Sequence, residues 1–184
     1  MEPMADKEEE MNEVIKAIKE RRSIRRFRSD SVPKELLEEI AGAGTYAASG
    51  RGMQSPVIIA VTDKELLGRL RRANCEIGGW DSGFDPFYGA PAVLIVLADK
   101  SRPTCLYDGS LVMGELMLAA HSLGLGSCWI HRAKEEFETE EFRAMLGSLG
   151  LEGEYEGIGH CAIGYYDPPA PDPAPRKENR VFFV

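Results

Sequence analysis

The sequence predicts one globular domain in which amphipathic helices alternate with short buried strands. Two segments support this prediction most directly. The run from Ala92 to Ala98 is apolar at every position, which is typical of a central strand covered on both faces. The segment from Met11 repeats its apolar residues at helical spacing. A chain of 184 residues buries about 70% of its unfolded surface, so one domain is expected to fold without disulfides.

The charge balance excludes several classes of partner. The chain has 22 Lys and Arg residues against 30 Asp and Glu, a net charge of −8, so a generally basic nucleic-acid-binding surface is not expected. The four cysteines form no C-x-x-C pair, which disfavours a metal site and suits a reducing cytosol. The longest apolar run is far shorter than the roughly 20 residues that span a bilayer, and residues 1–10 form an acidic lead-in rather than a signal peptide. We therefore expect a cytoplasmic protein without nucleic-acid or membrane partners.

Two helices are predicted in the N-terminal quarter of the chain. The first extends from Met11, and its apolar residues face away from its charged residues. The second follows Ser31 and Pro33, residue types that favour a helix start. Residues 42–52 are small and polar and predict a loop.

A β-branched run at residues 57–61 predicts a strand that leads into a third helix. Thr62 and Glu65 have the spacing of a capping box, and the helix is expected to continue through Leu70. Residues 71–90 show no clear period and are left unassigned.

The segment from Asp108 to Leu123 predicts a helix whose apolar residues cover most of its circumference. A helix on the surface of a small domain keeps a polar face, so this pattern predicts burial in a subunit interface. After a helix stop at Gly124, residues 127–130 predict a strand and residues 142–149 a further helix. Residues 157–165 predict a strand with glycines at regular intervals, where backbone or ligand approaches closely.

The C-terminal region combines a proline run with an apolar end. Five of the 11 prolines lie between Pro168 and Pro175, which predicts an extended segment. A disordered tail is one interpretation. The apolar residues within Arg180 to Val184 favour another, in which the tail docks as a strand, on this subunit or on a second one.

Five arginines lie within the eight residues from Arg21 to Arg28. A run of like charge is often only a solvated surface. Here the protein is acidic, Ser23 adds a hydroxyl donor, and the arginine fork matches phosphate oxygens. A nucleic-acid patch is disfavoured by the net charge of −8. The cluster therefore predicts a site for one small phosphate group.

Other motifs carry less information. Gly42-x-Gly44 begins a dinucleotide-binding pattern but follows a helix rather than a strand, so we discard it. Gly124-x-Gly126 lacks the other residues of a phosphate loop and is assigned to a helix stop. Structural roles and no metal-ligand role are expected for the three histidines: His121, His131 and His160.

Several ordered motifs resemble the FMN-dependent nitroreductase family. The resemblance extends from about Val14 to the C-terminus; each motif is weak alone, but their order is specific. The motifs are Arg21-Arg22-Ser23-Ile24-Arg25-Arg26-Phe27, Val32-Pro33-Lys34-Glu35-Leu36-Leu37, Ala48-Ser49-Gly50-Arg51-Gly52-Met53-Gln54, Gly89-Ala90-Pro91, Leu118-Ala119-Ala120-His121-Ser122-Leu123-Gly124-Leu125-Gly126 and Pro175-Arg176-Lys177.

The resemblance implies a fold of the α+β class, a three-layer α/β/α sandwich with a mainly antiparallel sheet. It also implies an obligate homodimer that holds FMN in clefts at the dimer interface. Residues 11–167 would form the FMN-binding domain, with the helix at 108–123 in the interface. The C-terminal extension, residues 168–184, would cross to the partner subunit and add a swapped strand to its sheet.

The resemblance also assigns residues to the flavin. Those expected at the phosphate or ribityl chain are Arg21, Arg22, Ser23 and one of Arg176 and Lys177. Arg25 is expected near the N1/O2 edge, and the backbone of Cys128, Trp129 and Ile130 near N5. The catalytic candidates are Arg25, Trp129 and Ile130. The loop residues that would come from the other subunit are Ser49, Gly50, Arg51 and Gln54.

Two positions depart from the family pattern. Gly52 stands where the family usually has Asn, and Gln54-Ser55-Pro56 where it usually has Gln-Pro-Trp. We therefore expect different contacts to the flavin pyrimidine and a roomier pocket above the ring. No ferredoxin-like cysteine cluster is present in the sequence, so electrons are expected from a soluble donor.

The activity implied by the resemblance is an oxidoreductase reaction. FMN would take hydride from NADH or NADPH and pass it to a small-molecule acceptor, a nitroaromatic, a quinone or a related electrophile. Two alternatives stay open: a flavin-fragmenting or dehalogenating relative on the same scaffold, and an FMN-binding or sensing protein without turnover.

Overall fold

A computed structural model describes residues 11–184 of the chain. The acidic lead-in expected at residues 1–10 lies outside the described residues. The elements, in chain order, are α1 (Glu13–Glu20), α2 (Lys34–Gly44), a short 3-10 turn (Gly50–Gly52), β1 (Pro56–Val61), α3 (Lys64–Gly78), β2 (Ala92–Asp99), α4 (Cys105–Ser122), β3 (Gly126–Ile130), α5 (Ala133–Phe137), α6 (Glu140–Ser148) and β4 (Tyr155–Gly164).

The four strands form one antiparallel sheet in the order β1-β2-β4-β3. Its centre is β2, whose residues Ala92 to Ala98 are all buried, as the uniformly apolar sequence predicts. The register of β2 with β4 shifts between Val96 and Leu97. The two edge strands are β1 and β3. The predicted α+β class with an antiparallel sheet is confirmed.

Helices pack against both faces of the sheet and create two cores. One core joins α2 and α4 to the face that carries Leu94 and Val96. The other joins α3, α5 and α6 to the face that carries Val93 and Ile95. Alternate β2 side chains therefore enter opposite cores, which explains why no position of this strand is polar.

Two helix boundaries differ from the sequence predictions. The expected loop at residue 42 is wrong, because α2 continues to Gly44, whose backbone packs so closely that an added Cβ would lie 2.6 Å from a Leu116 methyl carbon. The predicted capping box at Thr62 is also wrong by one residue. Asp63 caps α3, and its Oδ1 accepts a hydrogen bond from the Leu66 N–H at 2.8 Å. The helix then continues past Leu70 to Gly78.

The long helix α4 is buried on one face only within the single chain. Val112, Met113 and Leu116 lie in the core, whereas Leu106 and Leu111 are 54% and 50% exposed. The helix α1 buries no residue. Both helices therefore present apolar side chains that this chain leaves uncovered.

The C-terminal segment forms no strand among the described residues. After β4 the chain runs without helix or strand to Val184, and the side chains from Val181 onward are exposed. Docking of this tail on its own subunit is therefore not observed, and its crossing to a second subunit stays a prediction. Within residues 11–184, no helix has the length and apolarity needed to cross a membrane.

Candidate functional site

The arginine-rich segment lies extended beside the edge strand β3. Ser23 forms a parallel bridge with Ser127, and the Ile24 N–H donates to the Ser127 carbonyl at 2.9 Å. Farther along, the Arg28 N–H donates to the Tyr165 carbonyl at 2.8 Å. A Cβ at Gly126 would lie 2.8 Å from the Ile24 side chain, so glycine is needed for this close approach. The segment is thereby fixed along the sheet edge.

The arginine side chains of this segment are largely uncompensated by carboxylates. Within residues 11–184, no ion pair involves Arg21, Arg22, Arg25 or Arg26, whereas Arg28 pairs with Asp30 at 2.8 Å. The Nε of Arg22 is buried without a hydrogen-bond partner. The Arg22 Nη1 donates to the Lys19 and Arg21 carbonyls. Cations without a carboxylate partner in an acidic protein create a local positive field that favours an anion.

A cavity of about 850 Å³ opens at the end of β3. Arg25 and the strand residues Cys128, Trp129 and Ile130 line it, so the structure brings these four predicted site residues together. Three aromatic residues of the loop that follows α3 also line the cavity, namely Trp80, Phe84 and Tyr88.

The thiol of Cys128 lies close to the arginine segment. Burial raises the pKa of the Cys128 thiol, and the nearby Arg25, Ser23 and Arg21 oppose that shift. The net direction keeps the thiol protonated at neutral pH, so a nucleophilic role is disfavoured. Arg25 and Cys128 both line the cavity.

The aromatic wall was missed by the sequence analysis. Trp80 and Phe84 meet edge to face with ring centroids 5.2 Å apart, and Phe84 meets Tyr88 in the same way at 6.0 Å. The loop is held by Asp85, whose carboxylate accepts from the Phe87 and Gly89 N–H groups. The regular spacing of four residues between the three rings was a usable signal in a segment without other periodicity.

The turn after β3 adopts an unusual backbone conformation. Arg132 has a φ of 83°, in the left-handed region that favours glycine. The Nδ2 of Asn74 donates to the His131 carbonyl and to Glu136 Oε1, both at 2.7 Å. Glu136 Oε2 lies 2.8 Å from His160 Nε2, and Asn74, Glu136 and His160 are fully buried.

This buried network ties α3, α5 and β4 to the turn that borders the cavity. It agrees with the structural role expected for His160, but nothing in the sequence spacing indicated Asn74 or Glu136. His131 is exposed and its ring stacks on Trp129 at 6.0 Å. In the described part of the chain, no group of three His, Cys, Asp or Glu residues is placed to hold a metal ion.

Two predicted site groups lie elsewhere in the single chain. The loop containing Ser49, Gly50, Arg51 and Gln54 packs on the first turn of α4, where the Gly50 N–H donates to Asp108. Arg21 instead contacts Met117, nine residues farther along that helix, which is about 14 Å along its axis. Arg176 and Lys177 lie in the exposed tail. No hydrogen bond or ion pair within residues 11–184 joins either group to the arginine segment.

The model of the nitroreductase family matches residues 18–77 and 79–166. The chain belongs to the nitroreductase family. The resemblance inferred from the motifs is thus confirmed, although the family match ends before the proline-rich tail. It includes the arginine segment, the loop at 49–54 and the turn after β3.

Solved and curated relatives agree with membership in the nitroreductase family. A nitroreductase with bound FMN from Bacteroides fragilis superposes with a TM-score of 0.83 and 29% identity, covering 95% of this chain and 100% of the other. The FMN reductase [NAD(P)H] of Bacillus subtilis is 30% identical over 139 residues, 64% of this chain. The chain spans only 53% of that relative's length. The iodotyrosine deiodinase of Thermotoga neapolitana is 28% identical over 179 residues, covering 87% of this chain and 91% of the relative.

Proposed function

We propose that this nitroreductase-family enzyme binds FMN and passes hydride from NADH or NADPH through the flavin to a small electrophilic acceptor such as a nitroaromatic or a quinone. The observation that carries the proposal is the extended arginine segment with unpaired cations beside the cavity at β3. The Bacteroides fragilis nitroreductase was solved with FMN bound and covers 95% of this chain, which supports FMN as the ligand.

The arginine segment fits the FMN phosphate. A phosphate monoester carries close to two negative charges at neutral pH and accepts several charge-assisted hydrogen bonds. Arg21 and Arg22 supply guanidinium donors with no competing carboxylate within residues 11–184, and Ser23 supplies a hydroxyl. The buried, unpartnered Nε of Arg22 is a donor that such a ligand would satisfy.

Arg25 and the backbone of β3 fit the flavin ring system. Bound FMN supplies the redox chemistry, accepting and donating hydride at its ring. Arg25 lines the cavity and would place a fixed positive charge at one edge of the ring. The Ser127 carbonyl points to Ile24, so by strand alternation the N–H and C=O of Trp129 also point away from β4, toward the cavity side.

We also propose that the protein is a homodimer with one FMN site at each end of the subunit interface. Contact with a second subunit would bury the exposed apolar residues of α4 and α1. The outer edge of β1 is unpaired within the described residues, and the apolar tail from Val181 to Val184 is exposed and pairs with no strand of its own subunit. A tail that crosses to the partner subunit would pair with the free edge of β1 there and would bury its own apolar residues.

The position of the loop at 49–54 supports the same arrangement. Within one subunit it lies about 14 Å along the axis of α4 from the contact of Arg21 with Met117. The family resemblance implies that Ser49, Gly50, Arg51 and Gln54 contact the flavin from the opposite subunit, and this separation from Arg21 agrees with that arrangement. Arg176 or Lys177 of the crossing tail would then reach the phosphate.

A second candidate function is reductive removal of a halogen from an aromatic ring. The Thermotoga iodotyrosine deiodinase matches over 91% of its own length, and the wall of Trp80, Phe84 and Tyr88 could face an aromatic acceptor. A third candidate is a protein that binds flavin without catalysing a reaction, and an experiment must distinguish it from the two enzymes.

Anaerobic stopped-flow spectroscopy separates these functions. The FMN-loaded protein is mixed with NADH or NADPH, and loss of the yellow flavin absorbance is followed. Rapid bleaching and re-oxidation by a nitroaromatic or a quinone would support the main proposal, whereas release of iodide from an iodophenol would favour the second candidate. No bleaching by either nucleotide would overturn the enzyme assignment. Colourless protein that does not bind added FMN would overturn the proposed flavin site itself.

A further inference from the structure

The carboxylate of Asp108 is buried in the first turn of α4 without a cationic partner. The residue is 3% exposed, and no ion pair within residues 11–184 involves it. Its Oδ1 accepts from the Gly50 N–H at 3.0 Å, and its Oδ2 accepts from Thr104 Oγ1 at 3.0 Å and from Ser55 Oγ at 3.5 Å. A buried carboxylate is costly unless hydrogen bonds replace its lost hydration. These three hydrogen bonds therefore replace the lost hydration of the Asp108 carboxylate, and they show which parts of the chain it connects.

Two of the three donors are the two ends of one loop. Gly50 and Ser55 flank an exposed segment in which Arg51 and Gln54 have φ angles of 56° and 49°. Left-handed conformations at non-glycine residues are strained and persist only where the surroundings determine them. Some hydrogen bonds lie within the loop, such as that from the Gln54 N–H to Ser49 Oγ at 3.0 Å. Outside the loop, the Asp108 carboxylate accepts from the Gly50 N–H and the Ser55 hydroxyl and so anchors both ends.

The third donor explains why the loop sits close to α4. A Cβ at position 50 would collide with the Thr104 side chain, so only glycine allows this approach. Thr104 then spans from the loop backbone to the carboxylate that also holds the loop. Leu106 and Ser110, each two residues from Asp108 along α4, line the cavity of the same subunit. The first turns of α4 therefore border both the loop and the cavity.

We propose that Asp108 is a positioning residue for cofactor binding, which holds the loop at 49–54 in the form that contacts FMN across the subunit interface. The inference rests on the proposed FMN site and dimer. Asp108 itself touches no flavin in this arrangement. Its role is to keep the strained conformation of Arg51 and Gln54 in the flavin-free protein, so that binding does not have to order the loop.

Limited trypsin digestion of the flavin-free protein tests the anchor directly. Trypsin cuts after Arg51 only when the loop leaves its folded form. Asp108→Ala should be cut between Arg51 and Gly52 about tenfold faster than the wild type or more, since hydrogen bonds to a charged group are worth that factor. The control Asp63→Ala removes another carboxylate bond to a backbone N–H, at the α3 cap, and should leave this cut unchanged. Equal rates in the wild type and Asp108→Ala would overturn the anchor.

The FMN dissociation constant, measured by quenching of flavin fluorescence, tests the role of that anchor. Asp108→Ala should bind FMN about tenfold more weakly, while Asp63→Ala should match the wild type. Asp108→Asn keeps an acceptor for the Gly50 N–H and should rescue most of the affinity. If Asp108→Ala is cut faster yet binds FMN like the wild type, the loop does not contact the flavin and the inference is wrong.

The outcomes also separate this inference from the proposed function. Wild-type protein that binds no FMN would overturn the flavin site and, with it, the positioning role. Wild-type binding together with unchanged binding by the Asp108 variants would overturn only the positioning role. Should Asp108→Ala fail to fold by circular dichroism, Thr104→Ala removes one donor at the same carboxylate and should show a smaller acceleration of the same cut. No acceleration of the cut in Thr104→Ala would then contradict the anchor.

Discussion

The side-chain Nδ2 of Asn74 lies 2.7 Å from the carbonyl oxygen of His131, which joins the middle of α3 to the turn after β3. The two residues are 57 positions apart, and the same amide also donates to Glu136 in the short helix α5. Because Arg132 follows in a left-handed conformation, this contact helps to determine the shape of the cavity wall.

Replacing Asn74 should destabilise the protein strongly. Asn74→Ala leaves the His131 carbonyl and one Glu136 oxygen buried without their donor, which should lower the free energy of unfolding by about 2–4 kcal/mol. Urea denaturation followed by circular dichroism measures this change. Asn12→Ala is the matched control, because the Asn12 side chain also makes two hydrogen bonds, which its Oδ1 accepts from N–H groups at an exposed helix end; a loss of about 1 kcal/mol or less is expected there. Similar losses in the two variants would contradict the buried network.

Arg21 should be needed for the flavin but not for the fold. Removing one guanidinium from a phosphate site costs about 1.5–3 kcal/mol, or roughly ten- to a hundredfold in affinity. Arg21→Ala should therefore lose FMN during purification and yet unfold at the wild-type urea concentration. Arg28→Ala is the control, since Arg28 already pairs with Asp30, and it should stay yellow. Equal FMN content in both variants would place the phosphate elsewhere.

Arg25 should matter more for flavin reduction than for flavin binding. Reduction adds negative charge to the ring, and a fixed cation at its edge stabilises that charge more than it stabilises the oxidised form. Arg25→Met should retain FMN but lower its midpoint potential and slow reduction by NADH or NADPH, and Arg25→Lys should be milder. Potentiometric titration and stopped-flow kinetics measure the two effects. An unchanged potential and rate in Arg25→Met would move the electrostatic role to another residue.

The exposed face of α4 should be buried in a dimer. Leu111 is 50% exposed at the middle of that face, so Leu111→Lys should place a charge in the interface and shift the protein toward monomer in sedimentation. Leu149→Lys is the control, because Leu149 is 53% exposed just after α6, away from α4, and should sediment as the wild type. Truncation after Pro175 should also weaken the dimer. A wild type that sediments as a monomer at all practical concentrations would overturn the proposed assembly.

Much of the fold follows from patterns that act over a few residues. The uniformly apolar run of β2 identifies a strand buried on both faces, and the sheet places it at the centre. The arginine segment is recognisable because charge density is a property of the sequence itself. The apolar circumference of α4 is equally visible, although within one subunit only part of it is covered.

The remaining features depend on contacts between distant residues. The sequence predicts the cap of α3 one residue too early, because Thr62 and Asp63 are both suitable capping residues. Only the folded backbone determines which side-chain oxygen accepts from a free N–H of the first turn. α2 continues through its glycines because Gly44 packs against Leu116, a contact that local propensity does not contain.

The strands, the amphipathic helices and the concentration of positive charge from Arg21 to Arg28 can be predicted from the sequence, because they follow from hydrophobic period and local charge. Three relationships become visible only in the folded chain: this segment lies along β3, Asn74 donates to the His131 carbonyl, and Asp108 accepts from the loop at 49–54. Each of these pairs joins residues more than 50 positions apart. Such contacts are set by how the helices pack on the sheet, which no local pattern specifies.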